Sequence, residues 1–197
     1  MIWNEHSNLR NRHAVLAPSN HSWTNYDDEK LILRFDNEQR KNLGTDLHEW
    51  AENTILLDQR MRKLGMVPDL IHKRPKTTIQ MYMNDAVKYN MRVEQPLSYD
   101  DKYCFGTADS IVLDGNTLRI HDLKTGETPA SMDQLIKYAA LFCLEYHYDP
   151  NQLIFELRIY QTDEIAIYKA SPEEIVAMMN LIVHDCEILR KHERGEL

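Results

Sequence analysis

The stretch from Tyr103 to Lys124 leaves this chain the least freedom. Two runs of alternating apolar and polar residues, 103–113 and 117–124, flank Asp114-Gly115-Asn116 and read as the strands of a β-hairpin. With Gly115 and Asn116 as the turn, residue 114 pairs with 117, 113 with 118, and so on down to 109 with 122. Asp109 then stands opposite Asp122, and Lys124 shares their face because side chains alternate along a strand. A turn at Asp114-Gly115 makes the two aspartates diagonal neighbours on that same face, whereas a three-residue loop would part them. Ile111, Leu113, Leu118 and Ile120 complete the face, which should pack into the core and end in a charged mouth. The opposite face carries Ser110, Thr117, Arg119 and His121 and reads as the wetter one.

Two carboxylates held this close repel each other and weaken a sheet. A divalent cation between them is the usual remedy. A lysine fixed two residues further on can orient or activate a water, or steady a developing oxyanion. For an isolated Asp-x-Lys the plain reading is a surface salt bridge. The matched second aspartate, the shared face and a helix that follows favour a site.

The 197 residues suit one domain, expected over 26–197 behind an N-terminal arm at 1–25. No apolar run approaches the ~20 residues of a membrane span, and the polar start does not read as a signal peptide, so a cytoplasmic protein that contacts no membrane is expected. Cys104, Cys143 and Cys186 are scattered without a C-x-x-C pair, as buried reduced thiols would be. The net charge of −8 argues against a protein that coats nucleic acid by bulk electrostatics. It leaves room for an enzyme with acids at a metal and bases along a strand path. Arg60, Arg62 and Lys63, then His72, Lys73, Arg74 and Lys76, are local basic clusters, read first as solvated helix ends or loops.

Trp23 and Tyr26 suggest that the end of the arm docks. Leu47, Trp50, Ala51, Thr54, Leu57, Met61 and Leu64 recur at three- and four-residue intervals, the pattern of a helix over about 45–64 with an apolar stripe. Thr45 is its candidate N-cap, and Gly65 and Pro68 end it. Helices are expected at about 77–89, 131–146 and 171–191, the last opening on Ser171-Pro172-Glu173-Glu174. Strands are expected at 91–99, in the hairpin, and at 152–160 and 164–169. This order suits an α/β domain with a central mixed β-sheet flanked by helices.

These residues resemble the PD-(D/E)XK nuclease superfamily, and within it the RecB-like and phage exonuclease branch. The likeness covers about residues 44–140. It rests on a helix histidine (His48 in Gly44-Thr45-Asp46-Leu47-His48-Glu49), an aspartate in Gly106-Thr107-Ala108-Asp109, the Asp122-Leu123-Lys124 strand, and Gln134 with Tyr138 on a following helix. The opening His13-Ala14-Val15-Leu16-Ala17-Pro18-Ser19 is similar to those of phage-encoded members. The resemblance implies a restriction-endonuclease-like core and a metal-dependent DNA exonuclease of phage or bacterial recombination or repair, acting on linear DNA ends. An endonuclease of the same fold and a catalytically silent DNA- or protein-binding module are the alternatives. It implies that His48, Asp109, Asp122 and the Leu123 carbonyl hold one or two Mg²⁺ or Mn²⁺ ions. Lys124 would handle the attacking water, Gln134 and Tyr138 would line the site, and Glu94 could be a further acid. Members with an iron–sulfur cluster carry four cysteines, so no cluster is expected with three. No G-x-x-x-x-G-K-[ST] motor loop is present, so processivity would come from oligomerisation or from a recombination protein partner.

Overall fold

A computed structural model describes residues 3–9, 14, 16–19, 22–38, 46–66, 75–124 and 129–196, without the side chains of 34–38 and 46–48. Helices α1 (Asp28–Glu38), α2 (Asp46–Lys63) and α3 (Thr78–Lys88) precede strands β1 (Arg92–Asp100), β2 (Cys104–Asp114) and β3 (Thr117–Leu123). Helix α4 (Asp133–Tyr146), strands β4 (Ile154–Gln161) and β5 (Glu164–Tyr168), and helix α5 (Pro172–Glu193) complete the chain. The sheet runs β1-β2-β3-β4-β5, antiparallel throughout except for the parallel β3–β4 pair. A parallel neighbour needs a crossover, and α4 supplies it.

The expected α/β class with a five-stranded mixed sheet flanked by helices is what the chain adopts. One layer beneath the sheet is α4 with α5, whose core includes Leu135, Tyr138, Ala139, Phe142, Ile175 and Ile182 together with Ile111, Leu118 and Ile120. The other layer is α2 with α3, where Ala51, Ile55, Tyr82, Met83 and Ala86 pack with Leu123 and Tyr160. The wetter face expected from Ser110 and His121 is therefore not wet: both are fully buried under this second layer.

Local signals explain most element ends. Ser171 accepts the Glu174 N–H and Glu174 reaches back to the Ser171 N–H, a capping box with Pro172 in the first turn. Thr77 and Gln80 make the same box for α3. Gly65 ends α2 with φ +75°, a left-handed conformation that glycine adopts at no steric cost. The proposed cap Thr45, together with Gly44, Pro68, His72, Lys73 and Arg74, lies outside the described residues. Arg60, Arg62 and Lys63 form the last turn of α2.

Helix α1 was not anticipated. The apolar stripe of α2 also faces the other way from the expected one. The helix buries Ala51, Ile55 and Asp58, while Trp50, Leu57 and Leu64 are exposed. Burial is won by the face that α3 and β1 cover, and three- and four-residue spacing does not say which stripe that is.

The arm docks. Leu9, Ala14, Leu16, Ala17 and Trp23 are buried. The Leu16 N–H donates to the Tyr103 carbonyl at 3.0 Å, and the Trp23 indole N–H to Ala17 O at 3.2 Å. Among the described residues no helix is long and apolar enough to cross a membrane.

Candidate functional site

The β2–β3 hairpin closes through the two-residue turn, with Asp114 opposite Thr117. Of the two turn residues only Gly115 has positive φ, +60°, as at the first central position of a type II′ turn. The ladder then runs to Ser110 opposite His121, the expected register. Beyond that pair each strand keeps its outer neighbour. Ala108 stays with Gln95 of β1, and Asp122 and Leu123 stay with Ile159 and Tyr160 of β4. The inner edges part, and the Leu123 N–H donates to the carboxylate of Asp109 at 2.8 Å. Asp109 thus bridges the opening between the strands as a side-chain acceptor.

Side-chain alternation breaks at the same place. Ala108 and Ile111 both belong to the α4-side core, although three residues apart in a strand they should face opposite ways. In β1, Val93 packs on the α3 side and Leu97 on the α4 side, although four apart. Glu94 lies between them at φ +45°, a conformation uncommon for a residue with a β-carbon. The flanking pairs Val93–Ser110 and Gln95–Ala108 set it across from Asp109. Its charge, with those of Asp109 and Asp122, acts on both Tyr82 and Tyr138. Burial first, and then these acids, push both phenols well above their ordinary pKa, so both remain protonated.

Lys124 completes the group. Its ammonium donates to Asp122 Oδ1 at 3.0 Å and lies 2.9 Å from Oδ2, and it donates to Gln134 Oε1 at 2.8 Å. Asp122 and Gln134 are buried, while the Lys124 side chain keeps 26% of its surface exposed, so the cation caps a buried carboxylate at the edge of solvent. Gln134 and Tyr138 are one turn apart on α4, which directs both at the opening. The Tyr138 hydroxyl donates to Thr107 O at 2.5 Å. Gly106 leaves no room for a side chain: a β-carbon there would lie 2.7 Å from Pro18 Cδ and 3.2 Å from Tyr138 Cε1. The glycine of the Gly-x-x-Asp run is thus a point where arm, strand and helix meet without room for a side chain.

Behind Asp122, on the other face of β3, lies a polar network that the sequence reading missed. Tyr160 donates to Asp85 Oδ2 at 2.7 Å, which leaves its oxygen to accept from His121 Nδ1, 3.2 Å away. Burial, then Arg158 and Arg119, hold the His121 pKa well below its ordinary value, so the ring is neutral with its proton on Nδ1. Arg158 donates to Asp85 at 2.7 Å and to Glu156 at 2.8 Å. The available signal was Glu156-x-Arg158-x-Tyr160, three polar groups at the two-residue period of a strand.

Of the metal ligands suggested by the sequence, Asp109, Asp122 and Leu123 meet at the parting of the strands. His48 lies in α2, but its side chain is outside the described residues. Among the described residues no three His, Cys, Asp or Glu side chains are grouped so as to hold a metal ion. The donors present are two carboxylates and a main-chain carbonyl. Such hard oxygens fit Mg²⁺ or Mn²⁺ in kind and leave further positions to water, substrate or another side chain.

No curated protein matches the chain. Among solved structures, one presented as "Crystal structure of SSO0001" aligns over 78% of this chain and 81% of its own, with 11% identity and a TM-score of 0.34, a likeness too slight to bear on fold or chemistry. A family profile described as "Protein of unknown function (DUF2800)" matches residues 26–183. By that match over most of its length, the chain belongs to the DUF2800 family.

Proposed function

We propose that this protein is a divalent-metal-dependent DNA nuclease, working as an exonuclease on linear ends. The observation that carries the reading is the placement of Lys124. Its ammonium is aimed by Asp122 and Gln134 at the place where β2 and β3 part and Asp109 spans the opening. Asp109, Asp122 and the Leu123 carbonyl would hold Mg²⁺ or Mn²⁺. When bound, such an ion polarises a phosphoryl oxygen and lowers the pKa of a coordinated water. Lys124 orients the attacking water or offsets charge developing on the phosphate. Gln134 keeps the lysine on that line, and Tyr138 ties α4 to the rim of β2 through Thr107. Phosphodiester hydrolysis asks for little beyond positioning and charge stabilisation.

The test is a digest of 5′- and 3′-labelled linear DNA beside closed circular DNA, with Mg²⁺, with Mn²⁺ and with chelator. Metal-dependent loss of the linear substrate alone, absent in Lys124→Ala, supports the exonuclease. Nicking of the circle makes it an endonuclease. Metal binding without cleavage of either makes it a silent module, and cleavage in excess chelator removes the site altogether.

A further inference from the structure

We propose that the outer face of α2 is a self-association surface, on which a second copy of this chain packs with its α2 antiparallel. The proposal is independent of the nuclease reading. Among the described residues, five of the ten exposed large hydrophobics lie on α2 or directly after it: Trp50 (52%), Leu56 (44%), Leu57 (49%), Leu64 (72%) and Met66 (53%). Solitary exposed apolar residues need no explanation, but several aligned along one helix do. Trp50, Leu57 and Leu64 are spaced by seven, so they form one straight seam, with Leu57 at its centre.

The charges beside the seam name the occupant. Glu49 and Glu52 lie toward the N-terminal end, Arg60 and Lys63 toward the C-terminal end. At about 100° per residue all four fall on the same flank of the seam. In an antiparallel pair of helices, identical flanks adjoin. Centred on Leu57, such a pair sets Trp50 against the second copy's Leu64. It also brings Glu49 near the second copy's Lys63 and Glu52 near its Arg60, each offset by about two residues, or ~3 Å along the axis. A parallel pair would set this flank against the opposite flank of the second copy and bring none of these charges together. The macrodipole alone also favours acids first and bases last, but it requires neither one flank nor an apolar seam beside them. Although the protein carries a net charge of −8, that repulsion is screened beyond ~8 Å at physiological salt, whereas the local pairs lie inside that distance.

Sedimentation velocity on the full chain, from about 5 to about 200 μM, tests this in the micromolar range of a small interface. The wild type should show a concentration-dependent dimer that weakens as salt is raised, and Leu57→Glu should be monomeric with an unchanged circular dichroism spectrum. The paired reversals Glu49→Lys/Glu52→Lys and Arg60→Glu/Lys63→Glu should each raise the dissociation constant about tenfold or more. Mixing these two variants in equal amounts should restore the dimer, which guards against misreading a poorly folded four-fold reversal. A wild type that stays monomeric, a dimer that survives Leu57→Glu, or a mixture no tighter than its components would overturn the proposal. So would a monomer whose single-stranded DNA binding is lost in Trp50→Ala, since the face would then serve nucleic acid.

Discussion

Lys124 and Asp122 form a pair whose two members do different work, and substitution can separate them. Lys124→Ala leaves a buried carboxylate without its cation, so the metal-free protein should lose about 1–3 kcal/mol. For a chain of this size that is a fall in melting temperature of about 2–4 °C per kcal/mol. Divalent metal should restore part of the loss in Lys124→Ala, because removing the ammonium removes a charge that repels the ion. Turnover should still drop roughly 10²–10⁴-fold. Asp122→Asn should behave oppositely, with metal affinity falling first. Isothermal titration with Mn²⁺ and single-turnover DNA cleavage on both variants separate the two roles, and Lys124→Ala that cleaves like the parent would reduce the acids to a structural cation site. The alternation of Asp122 and Lys124 on one face was legible, because it depends only on the two-residue strand period. The bond from the Leu123 N–H to Asp109 was not, because it depends on where the hairpin ladder stops, which β1 and β4 decide by holding their own partners.

At the scale of elements, the ends of helices are the most local and the most readable. Ser171→Ala should cost about 1 kcal/mol by removing the oxygen that accepts the Glu174 N–H, measurable by urea denaturation. The β1–β2 turn is held by Asp100, which accepts from the Lys102 N–H at 2.9 Å, the Tyr103 N–H at 3.0 Å and Arg190 of α5 at 2.6 Å. Burial alone would raise its pKa, but Arg190 and the two backbone N–H groups outweigh that and lower it. A depressed carboxylate pKa stabilises the fold fully above the unfolded value near 3.9, and that stability is lost as pH falls through the folded pKa. Asp100→Asn should therefore lower the melting temperature at pH 7, by about 1–2 kcal/mol in stability, and the gap to wild type should begin to narrow below about pH 4 and keep narrowing as pH falls through the folded pKa. A gap that does not narrow at all between about pH 5 and about pH 2 would mean the effect is not one of charge. Helix α2 marks the limit of this kind of reading. Its periodicity was plain, but the stripe of Trp50, Leu57 and Leu64 is the exposed one, because α3 packs against Ala51 and Ile55.

For the whole molecule the arm is the test of integration. Gly106→Ala would drive a β-carbon into the Pro18 ring, which closes onto its own backbone and cannot swing aside. The expected result is a loss of about 1–3 kcal/mol and faster proteolysis within the first 25 residues, while the sheet keeps its circular dichroism signal. An unchanged proteolytic pattern would show that the arm does not need this contact. Undocking should also loosen Tyr138, whose ring would lie 3.2 Å from the same added β-carbon, so a DNA-cleaving protein should lose substrate positioning along with the arm.

The amino-acid sequence by itself determined the strand and helix order from α2 onward, a tight hairpin turn at Gly115, the N-cap of α5, and the shared face of Asp122 and Lys124. Each of these follows from a period or a turn within a few residues, where local sterics and hydrogen bonding decide. Tertiary structure alone decided how deeply the face bearing Ser110 and His121 is covered, burying both. It also decided that β1 and β2 exchange faces at Glu94 and Asp109, and that α2 turns Trp50, Leu56 and Leu57 outward. Those outcomes depend on which of several apolar surfaces finds a partner, and burial free energy belongs to the pair of surfaces in contact rather than to either one alone.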